Sequence, residues 1–305
     1  MSDAAVVVGL GDLGISIARR LHAVGVEVTG IDGAEERRRM WVEESGREAL
    51  ASTADLGSDG TWRTAIPDAD PAGREPPSDG DLANRATGST AEVDPAAAPR
   101  LLVCVRTAEQ AAAVIDDLNG RFGTESALYV VTTLAVDFAR GLGDRATPDG
   151  PRLVELPVSG GRGGAERGEL VVMTGGPAAR PDDATFLERT LASLVLPMPR
   201  YGDATLAKLL NNALAAYNAL AFGSAVELAA EAGLDISATA ELLRRGSGGS
   251  WMADAFAGLV DDLLAKDAAL LAAELGPLPT IDLTDTDALP PALSRARALL
   301  GEDDG

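Results

Sequence analysis

Short apolar runs alternate with longer amphipathic stretches over the first two thirds of the chain. The runs "AAVVVG", "VEVTGID", "RLLVCV", "ALYVVTTL", "RLVELPV" and "ELVVMTGG" are rich in β-branched residues and have the length of buried strands. Stretches with helical periodicity, such as "ISIARRLHAVG" and "TAEQAAAVIDDLNG", separate some of them. Strands that alternate with helices predict an α/β fold with a doubly wound, mainly parallel sheet.

The pattern changes to helix alone near residue 200. The stretch "DATLAKLLNNALAAYNALAFGSAVELAAEAG" predicts one helix of about 30 residues, roughly 45 Å long, and further helical patterns follow it. We therefore predict an α/β domain at residues 1–200 and an all-α domain at residues 201–305. Residues 209–226 carry no charge, but their asparagines make a lipid-facing span unsuitable. A helix buried between the two domains is expected instead.

Residues 57–99 fit neither domain. They are rich in glycine, proline and aspartate and contain few large apolar side chains. A loop of this length inside a compact domain is either functional or disordered. We predict a flexible surface insertion, with a lid or contact surface as the alternative.

The charge and the cysteine content narrow the choice of partners and compartment. A net charge of −21 disfavours nucleic acid and anionic membranes as partners. The N-terminus lacks the positive charge of an export signal, and the single cysteine, Cys104, lies in an apolar run. Both features predict a cytoplasmic protein without an internal disulfide. No cluster of Cys, His and carboxylates has metal-ligand spacing, so no metal is predicted.

The stretch "GLGDLG" follows the first predicted strand and opens the first predicted helix. Its glycines have the G-x-G-x-x-G spacing that allows a tight turn, close approach of a pyrophosphate and close packing of helix on strand. The free N–H groups of the helix N-terminus favour phosphate. The pattern predicts a Rossmann dinucleotide-binding domain, with the cofactor at Gly9, Leu10, Gly11, Asp12, Leu13 and Gly14.

Asp32, at the end of the second predicted strand, suggests which dinucleotide binds. A carboxylate at this position can bind both ribose hydroxyls and would repel a 2′-phosphate, which favours NAD(H). Arg37, Arg38 and Arg39 could hold the 2′-phosphate of NADP(H) if they fold back. The alternative for these arginines is a solvated helix face that balances neighbouring glutamates.

Lysine occurs at only two positions, Lys208 in "YGDATLAKLLNN" and Lys266 in "LLAKDAAL", whereas arginine occurs at 24. Arginine stays protonated in proteins, but the pKa of a lysine falls readily on burial. Proton exchange is therefore the property that lysine offers and arginine lacks. Asn212 lies four residues after Lys208 and hence on the same face of the predicted helix.

Four motifs, in order, resemble those of the β-hydroxyacid dehydrogenases, which include 3-hydroxyisobutyrate dehydrogenase and tartronate semialdehyde reductase. They are "GLGDLG", "ELPVSGGRGGAERGELVVMTGG", "YGDATLAKLLNN" and "LLAKDAAL". The resemblance covers most of the chain outside residues 57–99. It implies a Rossmann domain followed by a helical substrate and dimerisation domain. It also implies an NAD(P)-dependent oxidoreductase, expected as a homodimer, that interconverts a small 3-hydroxy acid and its aldehyde or ketone.

The resemblance also implies roles for single residues. Lys208 would be the general acid/base, and Asn212 would orient the substrate. The substrate carboxylate would be bound by Ser159, Gly160 and Gly161. Residues near the nicotinamide would be Thr132, Thr133, Lys266 and Asp267. Trp251 has a family counterpart near the cleft, with a position in the core as the alternative.

The chain departs from the family pattern at a few positions. The substrate signature usually begins with aspartate, whereas this chain has Glu155, and 39 residues follow Lys266 where family members continue in further helices. Two alternatives therefore stay open. An imine reductase shares the architecture, but such enzymes usually lack the catalytic lysine. A dinucleotide-binding regulator without catalysis is the other.

Overall fold

The computed structural model describes residues 3–56, 98–258 and 261–279, together with residues 293, 296, 297, 299 and 300. The insertion predicted at residues 57–99 lies outside the described residues apart from its last two positions.

The described part of the α/β half contains nine strands in one sheet. They are β1 (Ala4–Val8), β2 (Glu27–Ile31), β3 (Ala49–Leu50), β4 (Arg100–Val103), β5 (Ala127–Val130), β6 (Arg152–Glu155), β7 (Val158–Ser159), β8 (Leu170–Gly175) and β9 (Ala192–Met198). The runs proposed as strands from the sequence all contain one of these elements. Three strands were not predicted, namely β3 and β7, which have two residues each, and β9, which carries a proline.

The order of the first six strands is 3-2-1-4-5-6, and every neighbouring pair among them is parallel. This is the doubly wound order of a dinucleotide-binding sheet, with the reversal of strand order between β1 and β4. Strand β8 pairs antiparallel with β6 and β7 and parallel with β9. The predicted fold class is confirmed.

Helices cover both faces of the sheet. The described helices of this half are α1 (Asp12–Ala23), α2 (Glu35–Ser45), α3 (Ala108–Asn119), α4 (Val136–Arg140), α5 (Leu142–Arg145), α6 (Gly161–Arg167) and α7 (Pro181–Thr190). Alternate residues of β1 point to opposite faces, as the strand period requires. Val7 joins an apolar cluster that includes side chains of α1, α2, α6 and α7, whereas Val6 joins a cluster with α3 and α5.

The helical half begins with α8 (Asp203–Glu231), which has 29 residues. It is followed by α9 (Ile236–Arg245), α10 (Trp251–Asp254) and α11 (Asp261–Leu275). Helix α11 packs along α8, and Leu209 and Leu271 form the centre of a small apolar cluster with Val136 and Ala213. The single long helix is therefore present as predicted.

The expectation that the centre of α8 is buried between domains is wrong for most of its length. Only 17% of its most apolar 18-residue window is buried within the chain. Leu214, Leu220 and Leu228 are more than half exposed, because the neighbouring helices cover only part of the α8 surface. Trp251 is 65% exposed, which excludes the core position considered for it.

Among the described residues, α8 is the one helix whose length and composition would allow it to cross a membrane, with a mean hydropathy of 1.3 in its most apolar window. Its first turns carry a buried lysine and two asparagines and pack against the sheet and α11. This part of the helix therefore packs within the folded chain.

Candidate active site

The glycine-rich turn joins β1 to α1 at the carboxyl end of the sheet. Gly9 has a φ of +94°, and a Cβ there would lie 2.3 Å from the carbonyl oxygen of Cys104. A Cβ on Gly14 would lie 1.9 Å from the carbonyl oxygen of Gly9. The turn therefore requires glycine at both positions, as the fingerprint predicts.

Gly11 differs from these two glycines because the space beside it is open. A Cβ there would meet only the Nη1 atom of Arg37, at 4.0 Å. Gly11 precedes α1, and no side chain caps the helix N-terminus. The free N–H groups of α1 thus face a region that a phosphate group can approach. These residues fit a dinucleotide.

Asp32 is held between the glycine-rich turn and α2. Its Oδ2 atom accepts from the backbone N–H of Leu10 at 2.8 Å, and its Oδ1 atom accepts from Ala34 at 2.8 Å. The carboxylate therefore fixes the glycine-rich turn. Asp12 is exposed and Leu13 is half-buried at the start of α1.

Two of the three arginines on α2 fold back toward Asp32. Arg37 donates to Oδ2 of Asp32 at 3.3 Å, and Arg38 donates to the carbonyl oxygens of Asp32 and Gly33. Arg39 instead lies 3.7 Å from Glu43 on the exposed side of the helix. The interpretation of this run as a solvated face is therefore wrong for Arg37 and Arg38, because backbone and carboxylate oxygens lie within their reach.

Helix α8 is attached to the end of β6 by Glu155, a carboxylate that is 2% exposed. Its Oε2 atom accepts from the backbone N–H of Gly202 at 2.8 Å and its Oε1 atom from that of Thr205 at 2.6 Å. Burial raises the pKa of Glu155 above its usual range, while the hydrogen bonds from Thr205 and Gly202 act in the opposite direction. Gly175 faces Glu155 on β8, and a Cβ there would lie 2.4 Å from Oε2.

Lys208 follows one turn after this attachment point and is 8% exposed. Its Nζ atom donates to Oδ1 of Asn212 at 2.7 Å, and Nδ2 of Asn212 donates to Oδ2 of Asp267 on α11 at 2.5 Å. Burial lowers the pKa of Lys208 to about 8, and the negative charge of Asp267 acts in the opposite direction. A group with this pKa can both donate and accept a proton near neutral pH.

The predicted carboxylate site lies beside this cluster. Nδ2 of Asn211 donates to Oγ of Ser159 at 3.3 Å and to Oδ1 of Asn212 at 3.2 Å. Gly160 and Gly161 follow with φ values of +117° and +60° and lead into α6. The structure thus brings together the substrate-binding residues proposed from the sequence. It adds Asn211, which was signalled only by its position next to Asn212.

Lys266 connects the cluster to the end of β5. Its Nζ atom donates to the backbone carbonyl of Thr133 at 3.3 Å and lies 3.5 Å from Oδ1 of Asp267. Thr132 donates its hydroxyl to the carbonyl oxygens of Val103 and Val105, at the end of β4. Because β1, β4 and β5 are neighbouring parallel strands, the threonines and the glycine-rich turn lie at the same edge of the sheet.

The part of the chain that the structure describes contains no group of three or more His, Cys, Asp or Glu side chains arranged to hold a metal ion. The groups that offer candidate chemistry are the dinucleotide turn, the lysine–asparagine pair and the serine–glycine loop. This combination defines a dinucleotide-dependent oxidoreductase with a two-part architecture.

Two family models match the chain. The first is described as the NAD binding domain of 6-phosphogluconate dehydrogenase and matches residues 76–194. The second is described as the NAD-binding domain of NADP-dependent 3-hydroxyisobutyrate dehydrogenase and matches residues 202–269. Together they match more than half of the chain. The glycine-rich turn lies outside both matches, so its function is argued from its geometry.

Curated relatives agree with these matches. The L-threonate dehydrogenase of Cupriavidus necator is 28% identical over 253 residues, which are 81% of this chain and 71% of that protein. The 3-hydroxyisobutyrate dehydrogenase of Pseudomonas aeruginosa is 31% identical over 136 residues, but this chain spans only 46% of its length.

Solved structures show the same fold. The 3-hydroxyisobutyrate dehydrogenase from Salmonella typhimurium has a TM-score of 0.66 at 22% identity and covers 91% of this chain and 90% of its own. A reductive aminase from Aspergillus terreus has a TM-score of 0.57 at 16% identity, covering 99% and 88%. Taken with the family models and the curated relatives, the chain belongs to the β-hydroxyacid dehydrogenase family, and its cofactor is a nicotinamide dinucleotide.

The contact between Glu155 and α8 can be tested by stability. Glu155→Gln replaces one acceptor oxygen by an NH2 donor, so the backbone N–H of either Gly202 or Thr205 loses its acceptor. An unpaired buried donor costs about 1–3 kcal/mol, so we expect urea unfolding to report a loss of this size. Glu169→Gln is the control, because Glu169 pairs with Arg167 at an exposed position where such pairs contribute about 0–1 kcal/mol. Equal losses in the two variants would contradict the anchoring role.

Proposed function

We propose that the chain is an NAD(H)-dependent oxidoreductase that interconverts a small 3-hydroxy acid and its semialdehyde or keto form. The observation that carries this proposal is Lys208. It is buried, its pKa is lowered to about 8 by that burial, and it is hydrogen-bonded to Asn212 beside the predicted carboxylate site. The dehydrogenase relatives, which by name act on L-threonate, 3-hydroxyisobutyrate and L-serine, support the substrate class.

Lys208 is the general acid/base of the proposed reaction. When bound, the dinucleotide supplies or takes up the hydride at the carbon that is reduced or oxidised. In the reduction, the ammonium of Lys208 donates a proton to the carbonyl oxygen as negative charge builds on it. In the oxidation, the neutral amine accepts the hydroxyl proton. Asn212 holds Nζ at 2.7 Å and so keeps it in one place.

The substrate carboxylate is assigned to Ser159, Gly160 and Gly161. A protein with a net charge of −21 repels an anionic substrate at long range, so local donors must bind it. The Ser159 hydroxyl and the backbone N–H groups of the glycine loop supply such donors. Nδ2 of Asn211 donates a hydrogen bond to Oγ of Ser159. The Ser159 hydroxyl accepts in this bond, so its own proton remains available to the substrate.

NAD(H) is the preferred cofactor in this proposal. The Asp32 carboxylate lies at the position that discriminates between the dinucleotides, and it would repel a 2′-phosphate. The Arg37 guanidinium, 3.3 Å from that carboxylate, compensates part of its charge. We therefore expect a preference of modest size rather than strict selectivity.

The alternatives are less well supported. By resemblance, imine reductases usually lack a lysine at the position of Lys208, and a regulator without catalysis does not require a buried lysine of lowered pKa. An imine reductase would not need Lys208 for its turnover, and a regulator without catalysis would show no turnover in the wild type or in a Lys208 variant.

The exposed side of α8 supports a homodimer. Leu210, Leu214 and Leu228 fall on one face of the helix at intervals of 4 and 14 residues, and they are 49%, 58% and 65% exposed. A row of leucines along a helix face is apolar surface that a second copy of the chain would remove from water.

Lys208→Arg should keep the positive charge and lose proton exchange. We expect kcat to fall about 100- to 10,000-fold while the affinity for NADH stays unchanged. Wild type and variant are assayed with 3-hydroxyisobutyrate, L-threonate and L-serine, each with both cofactors. Arg245→Lys is the control, because Arg245 is 80% exposed on α9. Near-normal kcat in Lys208→Arg would refute the assigned role.

The pH dependence of the same reaction follows from the pKa of Lys208, which is about 8. Oxidation requires the neutral amine, so kcat for the hydroxy acid should rise through about pH 8. Reduction requires the ammonium, so kcat for the aldehyde should fall above that pH. Both profiles should lose this transition in Lys208→Arg.

The cofactor preference is tested by titrating the protein fluorescence with NADH and NADPH. Wild type should bind NADH more tightly. Asp32→Asn should narrow the difference in affinity between NADH and NADPH, because it removes the repulsion of the 2′-phosphate. Arg37→Gln should widen this difference. Arg39→Gln should leave it unchanged, since Arg39 points to Glu43. Tighter binding of NADPH by the wild type would overturn the preference.

The dimer is tested by sedimentation velocity. Wild type should sediment with twice the mass of the chain, and a variant with Leu214→Glu and Leu228→Glu should sediment as a monomer. Val42→Glu on α2, where Val42 is 45% exposed, is the matched control and should remain dimeric. A monomeric wild type would contradict the proposal.

A further inference from the structure

Asp267 lies in the catalytic cluster, although its sequence motif points to the nicotinamide. Asp267 is 5% exposed. In the part of the chain that the structure describes, no hydrogen bond joins it to the glycine-rich turn. Its Oδ2 atom accepts from Nδ2 of Asn212 at 2.5 Å. Asn212 in turn accepts from Lys208, so the three side chains form one hydrogen-bonded chain across α8 and α11.

The chemistry of the two neighbours dictates how the Asn212 amide is oriented. An ammonium has only donors and an ionised carboxylate has only acceptors, whereas a carboxamide has one end of each kind. Asn212 can satisfy both partners only with Oδ1 toward Lys208 and Nδ2 toward Asp267. Without the carboxylate, Nδ2 of Asn212 would lose the acceptor toward which it now points on α11.

We propose that Asp267 is a positioning residue for the Lys208–Asn212 pair. It fixes the carboxamide of Asn212 with its oxygen toward Nζ, and its carboxylate supplies the negative charge that the buried ammonium needs. The catalytic consequence rests on the function proposed above, whereas the effect on Lys208 itself does not.

The Oδ1 atom of Asp267 supports a role inside the site. It is buried without a hydrogen-bond partner, although Nζ of Lys266 lies 3.5 Å away as an ion-pair partner. A buried carboxylate oxygen that accepts no hydrogen bond lowers the stability of the folded protein. The position of this carboxylate next to Lys208 is explained if its negative charge stabilises the ammonium of that residue.

Among the residues that the structure describes, the other charged groups on the elements around α8 lie away from Lys208 or are already paired. Strands β8 and β9 carry none. At the start of α8, Glu155 binds Gly202 and Thr205, and Asp203 pairs with Arg200. Between α4 and α11, Arg140 pairs with Asp137 and Glu274.

The charges of α9 and α10 lie near the far half of α8. Arg244 packs on the ring of Phe222 at 5.2 Å, and Phe222 follows Lys208 by 14 residues, about 21 Å along the helix. Arg245 pairs with Glu241, and Asp254 is exposed at the end of α10. Among the described residues, Asp267 is therefore the carboxylate that counteracts the effect of burial on Lys208.

The presence of only two lysines makes a direct test possible. In protein labelled with lysine carrying 13C at Cε, Lys208 and Lys266 give two signals, and Lys266→Arg identifies the signal of Lys208. The titration midpoint of Lys208 is then followed by NMR without substrate. Asp267→Asn should move that midpoint at least about 1 pH unit below the wild-type value, because the ammonium loses its nearest opposite charge.

Two further variants separate charge from structure. Glu274→Gln removes a charge from the same helix, seven residues away, and should leave the midpoint of Lys208 unchanged. Asp267→Glu restores the carboxylate and should return the midpoint toward that of the wild type. Circular dichroism confirms that each variant is folded. A midpoint in folded Asp267→Asn that equals or exceeds the wild-type value overturns the proposal.

Steady-state kinetics provide the second readout. In Asp267→Asn, kcat should fall about 10- to 100-fold, the scale expected for a misplaced catalytic group, while the KM for NADH changes less than about twofold. A large rise in the KM for NADH with an unchanged midpoint would instead make Asp267 a cofactor ligand. If no hydroxy acid is turned over but the midpoint moves, the proposed function fails and this proposal stands.

Discussion

The active-site geometry depends on one buried contact, the hydrogen bonds from the first turn of α8 to Glu155. This carboxylate ends β6 and binds the backbone N–H groups of Gly202 and Thr205. Those groups would otherwise be unsatisfied donors at a helix N-terminus. Since Lys208 and Asn212 lie on the next turns of the same helix, their distance from the sheet is set here. The longer side chain at position 155, compared with the aspartate of the family signature, fits because Gly175 leaves room for it.

Polar and charged groups have different arrangements at the amino and carboxyl ends of the parallel strands. Near the opposite end, Asp183 accepts from Arg152, Arg100 and Tyr129, and thus joins α7 to three strands in a hydrogen-bonded network. Both carboxylate oxygens of Asp183 accept hydrogen bonds inside the fold, so this network holds α7 on the sheet. At the carboxyl edge, the free N–H groups of α1, the hydroxyl of Ser159 and the amine of Lys208 keep unused bonding capacity. A protein with a net charge of −21 can bind anions there because these donors act locally.

The sequence was sufficient to predict the sheet, the glycine-rich turn and the Lys208–Asn212 pair, because each depends on local spacing. It was not sufficient for contacts that depend on packing. Asp267 is 55 residues from Asn212, and only the packing of α11 on α8 brings them together. The role of Glu155 required the position of α8 at the end of β6. The exposure of Leu214 was missed because a long apolar helix gives the same pattern whether its own chain or a second copy covers it.

The asparagine between Lys208 and Asp267 explains how a buried lysine can stay reactive. A carboxylate in direct contact would hold the ammonium proton strongly, since attraction between opposite charges grows at short distance in a poorly solvated site. Burial without any carboxylate would lower the pKa of the lysine further. Asn212 separates the charges by one amide, which orients Nζ but has no proton to exchange near neutral pH. The balance leaves the pKa of Lys208 at about 8, a value that suits the proton exchange assigned to this residue in the proposed reaction.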